Sequence, residues 1–316
     1  MHNAAAMAYA NRAGQAWGGF SQDPVIIRNR ENIVMKAHLA SGQTVAVRLH
    51  RVGYQSRQSI LSELVWTQAL ATAGFPCPLP VAAQNGDMTW QGNGPLVSVI
   101  DWLDAECIGE SGANYAGTET DHCDLYHRIG GLMADLHTTT DALDLPQQPR
   151  PQWSAEGLLG DTPWWGKFWE NPSLDSVEQQ LLNTTRQACL AYLPPEADAD
   201  YGLIHADLLQ ENILQNADGL WVIDFDDSGY GYRPYDLGAA LVQHAECPYL
   251  PSLRAALIEG YVSKRGAIVS DLDIQVFMML RAFASTGWII SRAAPDNPKQ
   301  RFYCDRALTL AREIRL

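Results

Sequence analysis

Residues 201–236 read YGLIHADLLQENILQNADGLWVIDFDDSGYGYRPYD, and this stretch decides the fold. It holds His205-Ala206-Asp207, then Asn212, then Asp224 closing the apolar run 220–223. An aspartate, an asparagine and a second aspartate at this spacing suit phosphoryl transfer from a magnesium nucleotide. That chemistry needs a carboxylate to accept a hydroxyl proton and hard oxygen ligands to hold the metal against the phosphates. A hairpin would deliver all three groups to one point. The loop leads into a short strand at 212–215, residues 216–219 turn it, and 220–223 return to present Asp224. The plainer alternative is a hairpin whose aspartates merely cap turns. It leaves unexplained why the second aspartate follows a strand and a turn at the right distance.

The stretch resembles the catalytic core of the aminoglycoside phosphotransferase and choline kinase group, relatives of the eukaryotic protein kinases. The resemblance implies that Asp207 is the catalytic base and that Asn212 and Asp224 are the magnesium ligands. It implies that His205 braces the metal-binding segment, and that Asp236 holds the backbone of the catalytic loop from the helix that follows. It extends, more weakly, across most of the chain.

Composition bounds the alternatives. A chain of 316 residues can bury a large core as one domain or as two lobes. An apolar content of 47% with 18% charged residues describes an ordinary globule. The net charge of −14 argues against nucleic acid as a partner and favours a neutral or cationic one. Six cysteines (Cys77, Cys107, Cys123, Cys189, Cys247 and Cys304) show no pairing rhythm, so buried free thiols in a reducing cytoplasm are expected. The N-terminus shows no basic segment followed by an apolar core. No run of about 18 apolar residues suggests a membrane span.

Residues 1–20 read as a leading helix, and 24–28, 32–38 and 44–50 as strands of an antiparallel meander. Runs 79–83 and 96–100 would finish the sheet. Helical periodicity covers 54–73, with Glu63 its only acidic residue. In the resembled fold, ATP binds under such a sheet, and the third strand carries a phosphate-binding lysine. Here Arg48 stands at that place, and no G-x-G-x-x-G precedes it. Arginine keeps the charge and can grip phosphate or carboxylate with two nitrogens. An Arg48–Glu63 ion pair would correspond to the strand-lysine and helix-glutamate pair that aims the cation at phosphate; Lys36 on the neighbouring strand is the substitute cation. The segment 101–104 would cross between lobes, with the adenine pairing to the backbone C=O of Asp101 and N–H of Leu103. Further helices are expected at 120–140, 173–192, 235–245, 251–264, 272–292 and 298–314. His137 reads as a structural histidine behind the site.

The order of elements argues an α+β, two-lobed, protein-kinase-like fold. Residues 1–100 form a small antiparallel-sheet lobe for the nucleotide, and 101–316 a larger, mostly helical lobe for catalysis and substrate. The expected activity is transfer of the γ-phosphate of ATP, with Mg2+, to a hydroxyl of a small molecule. Asp226 and Asp227 beside the metal aspartate, and Trp164 and Trp165 in a tryptophan-dense segment at 153–169, point to an amino alcohol or amino sugar. An indole face attracts a cation, and an acidic field repels an anion. The alternatives are a stress-type protein serine/threonine kinase, an ATP-binding pseudokinase, and a metal-dependent hydrolase. The twelve residues from Asp224 to Asp236 leave little room for a peptide-docking segment.

Overall fold

The computed structural model describes residues 1–29, 32–110, 117–146, 149–266 and 269–316. The chain divides into two compact units. One comprises Met1–Glu106, Leu143–Pro149 and Trp221–Asp226; the other comprises Cys107–Ala142, Arg150–Leu220 and Asp227–Leu316. The turn expected at 29–31 lies partly outside the described residues.

Period-two alternation builds the sheet of the first unit. Strands β1 (Val25–Asn29), β2 (Ile33–His38), β3 (Thr44–Leu49), β4 (Thr89–Trp90) and β5 (Val97–Asp101) pair antiparallel in the order β1-β2-β3-β5-β4. Ile33, Met35 and Ala37 of β2 face inward with Val45, Val47, Val97 and Val99. Helix α1 (Asn3–Gly14) lays Ala6, Ala10 and Ala13 on that face, small side chains that permit a close approach. The other sheet face carries Arg48, which pairs in register with Ser98. Helix α2 (Arg57–Thr72) belongs to the same unit and starts where Ser56 caps it by accepting the Ser59 N–H at 3.1 Å.

One expected strand is absent. Residues 79–83 make only an isolated bridge, Pro80 to Ile100, and β4 takes the sheet edge instead. Pro76, Pro78 and Pro80 supply the reason, since proline has no N–H to donate to a ladder.

The second unit is mostly helical. Its helices are α3 (Glu119–Ala142), α4 (Ala155–Leu159), α5 (Ser176–Tyr192), α6 (Pro234–Leu241), α7 (Leu250–Arg265), α8 (Asp271–Trp288) and α9 (Pro298–Glu313). Its strands include β7 (Gln152–Trp153), β8 (Tyr201–Ile204), β9 (Ile213–Asn216) and β11 (Gly229–Tyr232), whereas β6 (Glu106–Cys107) and β10 (Gly219–Val222) each fall across the division of the chain. Of these, β7, β11 and β8 form a small sheet with β11 central. Helix α5 starts later than its periodicity suggests, because Asp175 and Glu178 close a capping box at its first turn. The stretch Asp271–Ser291 is long and apolar enough to cross a membrane, but 78% of its apolar window is buried inside the protein, as a core helix requires. All six cysteines are free; Cys77, Cys189 and Cys304 are buried, whereas Cys107 is exposed and Cys123 and Cys247 are half-buried, contrary to the expectation of uniform burial.

Helices α3 and α7 cross backbone against backbone. A Cβ on Gly130 would lie 2.1 Å from the carbonyl oxygen of Leu257, and one on Gly260 would lie 1.9 Å from that of His127. Neither carbonyl can retreat without breaking its helix. Gly260→Ala should therefore destabilise the fold by about 1–3 kcal/mol, the usual range for overpacking. An unchanged urea midpoint for this variant would show that the crossing is looser than described.

Candidate active site

The catalytic loop begins where β8 ends. His205 and Ala206 are fully buried, and Ala206 adopts φ 67°, a left-handed conformation uncommon outside glycine. Asp236, in the first turn of α6, fixes this bend: its Oδ2 accepts the His205 N–H at 2.9 Å and its Oδ1 accepts the Ala206 N–H at 2.7 Å. His137 Nε2 adds a third contact at 3.0 Å, and His137 Nδ1 meets the Tyr261 hydroxyl at 2.9 Å. Burial pushes the Asp236 carboxyl upward, but His137 and the backbone donors outweigh it and hold the group below the usual carboxylate range. His137 is thus structural, completely enclosed and bonded at both nitrogens.

The bend delivers Asp207. Its N–H donates to His205 Nδ1 at 3.3 Å, which places His205 behind the loop. Asn212 closes the turn by donating Nδ2 to the Asp207 carbonyl at 2.8 Å and to Asp207 Oδ2 at 3.1 Å. The amide nitrogen is thereby occupied, and the amide oxygen of Asn212 is the atom left to serve as a metal ligand. After β9 the chain reverses at 216–219, where Asn216 Oδ1 accepts the Asp218 N–H at 2.9 Å.

The first unit gathers a second charged cluster around Arg48, which is 5% exposed. Its Nη1 donates to Glu63 Oε1 at 2.7 Å, and its Nη2 reaches Asp224 Oδ1 at 3.1 Å and Asp226 Oδ1 at 3.8 Å. Three acidic neighbours hold the guanidinium charged despite burial, which alone would lower its pKa. Asp224, like Ala206, has a left-handed backbone, at φ 65°. Its side chain is 43% exposed, and a carboxylate presented in this way fits the donor chemistry a magnesium ion requires. Asp226 is buried and bonded by Asn32 Nδ2 at 3.0 Å. Lys36 lies apart from Glu63, against Asp104 at 3.4 Å and over the Trp102 ring at 4.5 Å. In the expected hinge, the Asp101 N–H bonds Leu79 O at 2.9 Å and the Trp102 N–H bonds Thr44 O at 3.3 Å; Leu103 follows in irregular, half-buried chain.

The tryptophan-dense segment is mainly core. Trp153 is 1% exposed and its Nε1 donates to the Asp227 carbonyl at 2.9 Å, while Trp164 is 45% exposed. Trp165 meets Trp153 edge-on at 5.0 Å between centroids, and its face is covered by the Arg281 guanidinium at 4.8 Å. Arg281 also bonds Asp207 Oδ1 at 2.6 Å. Sequence reasoning overlooked this residue. Its signal was an arginine placed within the apolar stripe 276–283, where a stable core helix favours an uncharged side chain.

The loop after Asp207 is tied down through a neutral histidine. Gln210 Nε2 donates to His244 Nε2 at 2.9 Å, and the Tyr126 hydroxyl reaches the same nitrogen. Burial, with lesser contributions from the neighbouring His122 and Arg306, pulls the His244 pKa down to about 4. Burial and Arg48 likewise pull His50 down to about 3. Both rings fold uncharged. Below pH 6.5 the unfolded chain takes up protons that the folded chain refuses, so stability is full above that pH and declines as the pH falls toward 4. For His244 alone the loss between pH 7 and pH 5 should be about 2 kcal/mol. Urea midpoints at the two pH values should show a smaller drop for His244→Gln than for the parent, and equal drops would exclude the ring as the cause.

Residues 27–268 match the model of the phosphotransferase enzyme family APH. Amicoumacin kinase of Bacillus subtilis (strain 168) is 25% identical over 256 residues, which cover 78% of this chain and 70% of that protein. Homoserine kinase of Agrobacterium fabrum is 26% identical over 234 residues, 71% of this chain and 66% of that protein. Among solved structures, a microcompartment-associated aminopropanol kinase superposes with a TM-score of 0.79 at 25% identity, covering 96% of this chain and 95% of its own. An amicoumacin kinase in complex with AMP-PNP, Ca2+ and its ligand shares the fold, with a TM-score of 0.73 at 18% identity over 98% of this chain and 93% of its own. With the family model matching residues 27–268 and the kinase-like α+β fold shared with these structures, this protein belongs to the APH phosphotransferase family and is an enzyme using ATP and Mg2+.

Proposed function

We propose that the chain transfers the γ-phosphate of ATP to the hydroxyl of a small amine, an amino alcohol or amino sugar. Residues 1–100 serve as its nucleotide-binding lobe, and 101–316 as its catalytic and acceptor-binding lobe. The observation that carries this reading is the double fixation of Asp207. Held by Asn212 on one oxygen and by Arg281 on the other, the carboxylate is set to accept a proton from an acceptor hydroxyl. When bound, Mg2+ neutralises phosphate charge and orients the γ-phosphoryl group. Asp224 and the amide oxygen of Asn212 are its proposed ligands. Arg48, aimed by Glu63, is the proposed phosphate-binding cation, and the backbone of Asp101 and Leu103 the proposed adenine contact.

The amine rests on the acidic balance of the chain and on chemistry common to the relatives' names, since aminopropanol and homoserine each carry a hydroxyl and an amino group. Asp227 and the exposed Trp164 are candidates to meet it. Asp226 and the face of Trp165 already hold Arg48 and Arg281, respectively. A protein kinase reading is less well supported, because the segment from Asp224 to Asp236 is short. A pseudokinase reading has to explain why Asp207, Asn212 and Asp224 are all present. Six free thiols agree with a cytoplasmic setting.

Coupled turnover of Mg-ATP should be measured across ethanolamine, 1-amino-2-propanol, choline, homoserine and amino sugars, each paired with an uncharged analogue. The amines should be preferred; preference for the uncharged analogues would sink the acceptor assignment and leave the kinase in place. Asp207→Asn should lower kcat by about 10²–10⁴ with ATP binding intact. In calorimetry, Asp224→Ala should abolish the magnesium dependence of nucleotide binding, and unchanged Mg-ATP affinity would remove Asp224 from the metal site.

A further inference from the structure

We infer that Arg281 is a positioning residue for the general base: it fixes Asp207 in a reactive orientation and acts on the reaction only through that carboxylate. This rests on the assignment of Asp207 as base. Arg281 is 4% exposed and lies near the middle of core helix α8. Every described contact of its guanidinium aims it at one place. Nη2 bonds Asp207 Oδ1 at 2.6 Å, Nη1 bonds the Ser285 hydroxyl one turn along the helix, and the carbon lies 4.8 Å over the Trp165 ring. The indole face and the serine set the plane of the fork, and the fork sets the carboxylate.

Asp207 needs this hold. Asn212 restrains Oδ2 at 3.1 Å, and Arg281 restrains the other oxygen, Oδ1, at 2.6 Å, so the two contacts together set the plane of the carboxylate. Orientation of this kind is a large part of what an active site contributes, and misplacement by about 1 Å can cost roughly 10²-fold in rate. A buried arginine is also a poor choice for stability alone. Removing two charges from water is expensive, and apolar replacements for such pairs are often neutral or stabilising. Nothing in the packing of α8 requires a charge at this position; its neighbours Met278, Met279, Leu280, Ala282 and Phe283 are all apolar and buried.

The test is a double-variant cycle on the full chain, with the best-used alcohol of the acceptor panel, or with water as acceptor in Mg-ATP hydrolysis if none is used. Arg281→Met should lower kcat by roughly 10²-fold with KM for ATP changed less than twofold. Arg281→Lys, which keeps the buried charge but not the fork, should recover part of that loss. Tens of millimolar guanidinium should raise the turnover of Arg281→Ala at least tenfold and leave Asp207→Asn unaffected. Asp207→Asn combined with Arg281→Met should be no slower than Asp207→Asn alone. Thermal melts and Mg-ATP binding separate lost folding from lost catalysis, and if Arg281→Met fails to fold, the lysine variant and the double variant carry the decision. Additive losses in the double variant, or parental kcat in Arg281→Met while Asp207→Asn is inactive, would overturn the inference and leave the functional reading standing. Parental turnover in Asp207→Asn would instead remove the base itself.

Discussion

A single enclosed carboxylate, that of Asp236, holds the loop ahead of Asp207 in shape. A buried ionised carboxyl is costly unless donors surround it, and here two backbone N–H groups and His137 do so. The donors belong to His205 and Ala206, the residues just ahead of Asp207, the proposed base. Ala206 has φ 67°, which an alanine adopts only where its surroundings enforce it. Placement of Asp236 at the first turn of α6 adds favourable alignment with the helix dipole. The direction in which Asp207 points is therefore set by a helix about thirty residues downstream in sequence.

The arginine at position 48 follows from the geometry of its neighbours. A lysine offers one nitrogen, a compact point charge that one carboxylate can saturate. The planar fork of Arg48 serves two sides at once, with Nη1 engaging Glu63 while Nη2 faces Asp224 and Asp226. One side chain thus links helix α2, strand β3 and the segment Trp221–Asp226 within the first unit. The enclosed pair with Glu63 tolerates burial because both charges are compensated at short range.

Much of this was legible in the residue pattern, and the rest was not for definite reasons. The spacing of Asp207, Asn212 and Asp224 is local and survives without any knowledge of packing. So does the alternation in β2, and so do the long apolar helices. Residues 79–83 misled because an apolar run resembles a strand, while prolines at 76, 78 and 80 withhold the donors a ladder needs. Asp226 looked like an open acidic group beside Asp224. Its partner Asn32 lies far away in sequence, and such distant pairings leave no trace in local pattern. Arg281 was hidden for the same reason, its significance residing in a carboxylate 74 residues away.

The two left-handed residues outside glycine link these observations. Among the described residues they are Ala206 and Asp224, the residue before the proposed base and the proposed metal ligand itself. Glycine at either place would relax the backbone, yet Asp224 cannot be glycine if its carboxylate is to bind metal. Strain of this kind costs on the order of 1–3 kcal/mol and persists only where the surroundings over-determine the conformation. Around Ala206 the determinant is Asp236; around Asp224 the observed restraint is Arg48, which holds one carboxylate oxygen. The buried charges that look wasteful from the standpoint of stability are thus the groups that keep two strained turns in place. A substitution that removed the charges and the strain together would yield a more relaxed chain with its aspartates aimed elsewhere.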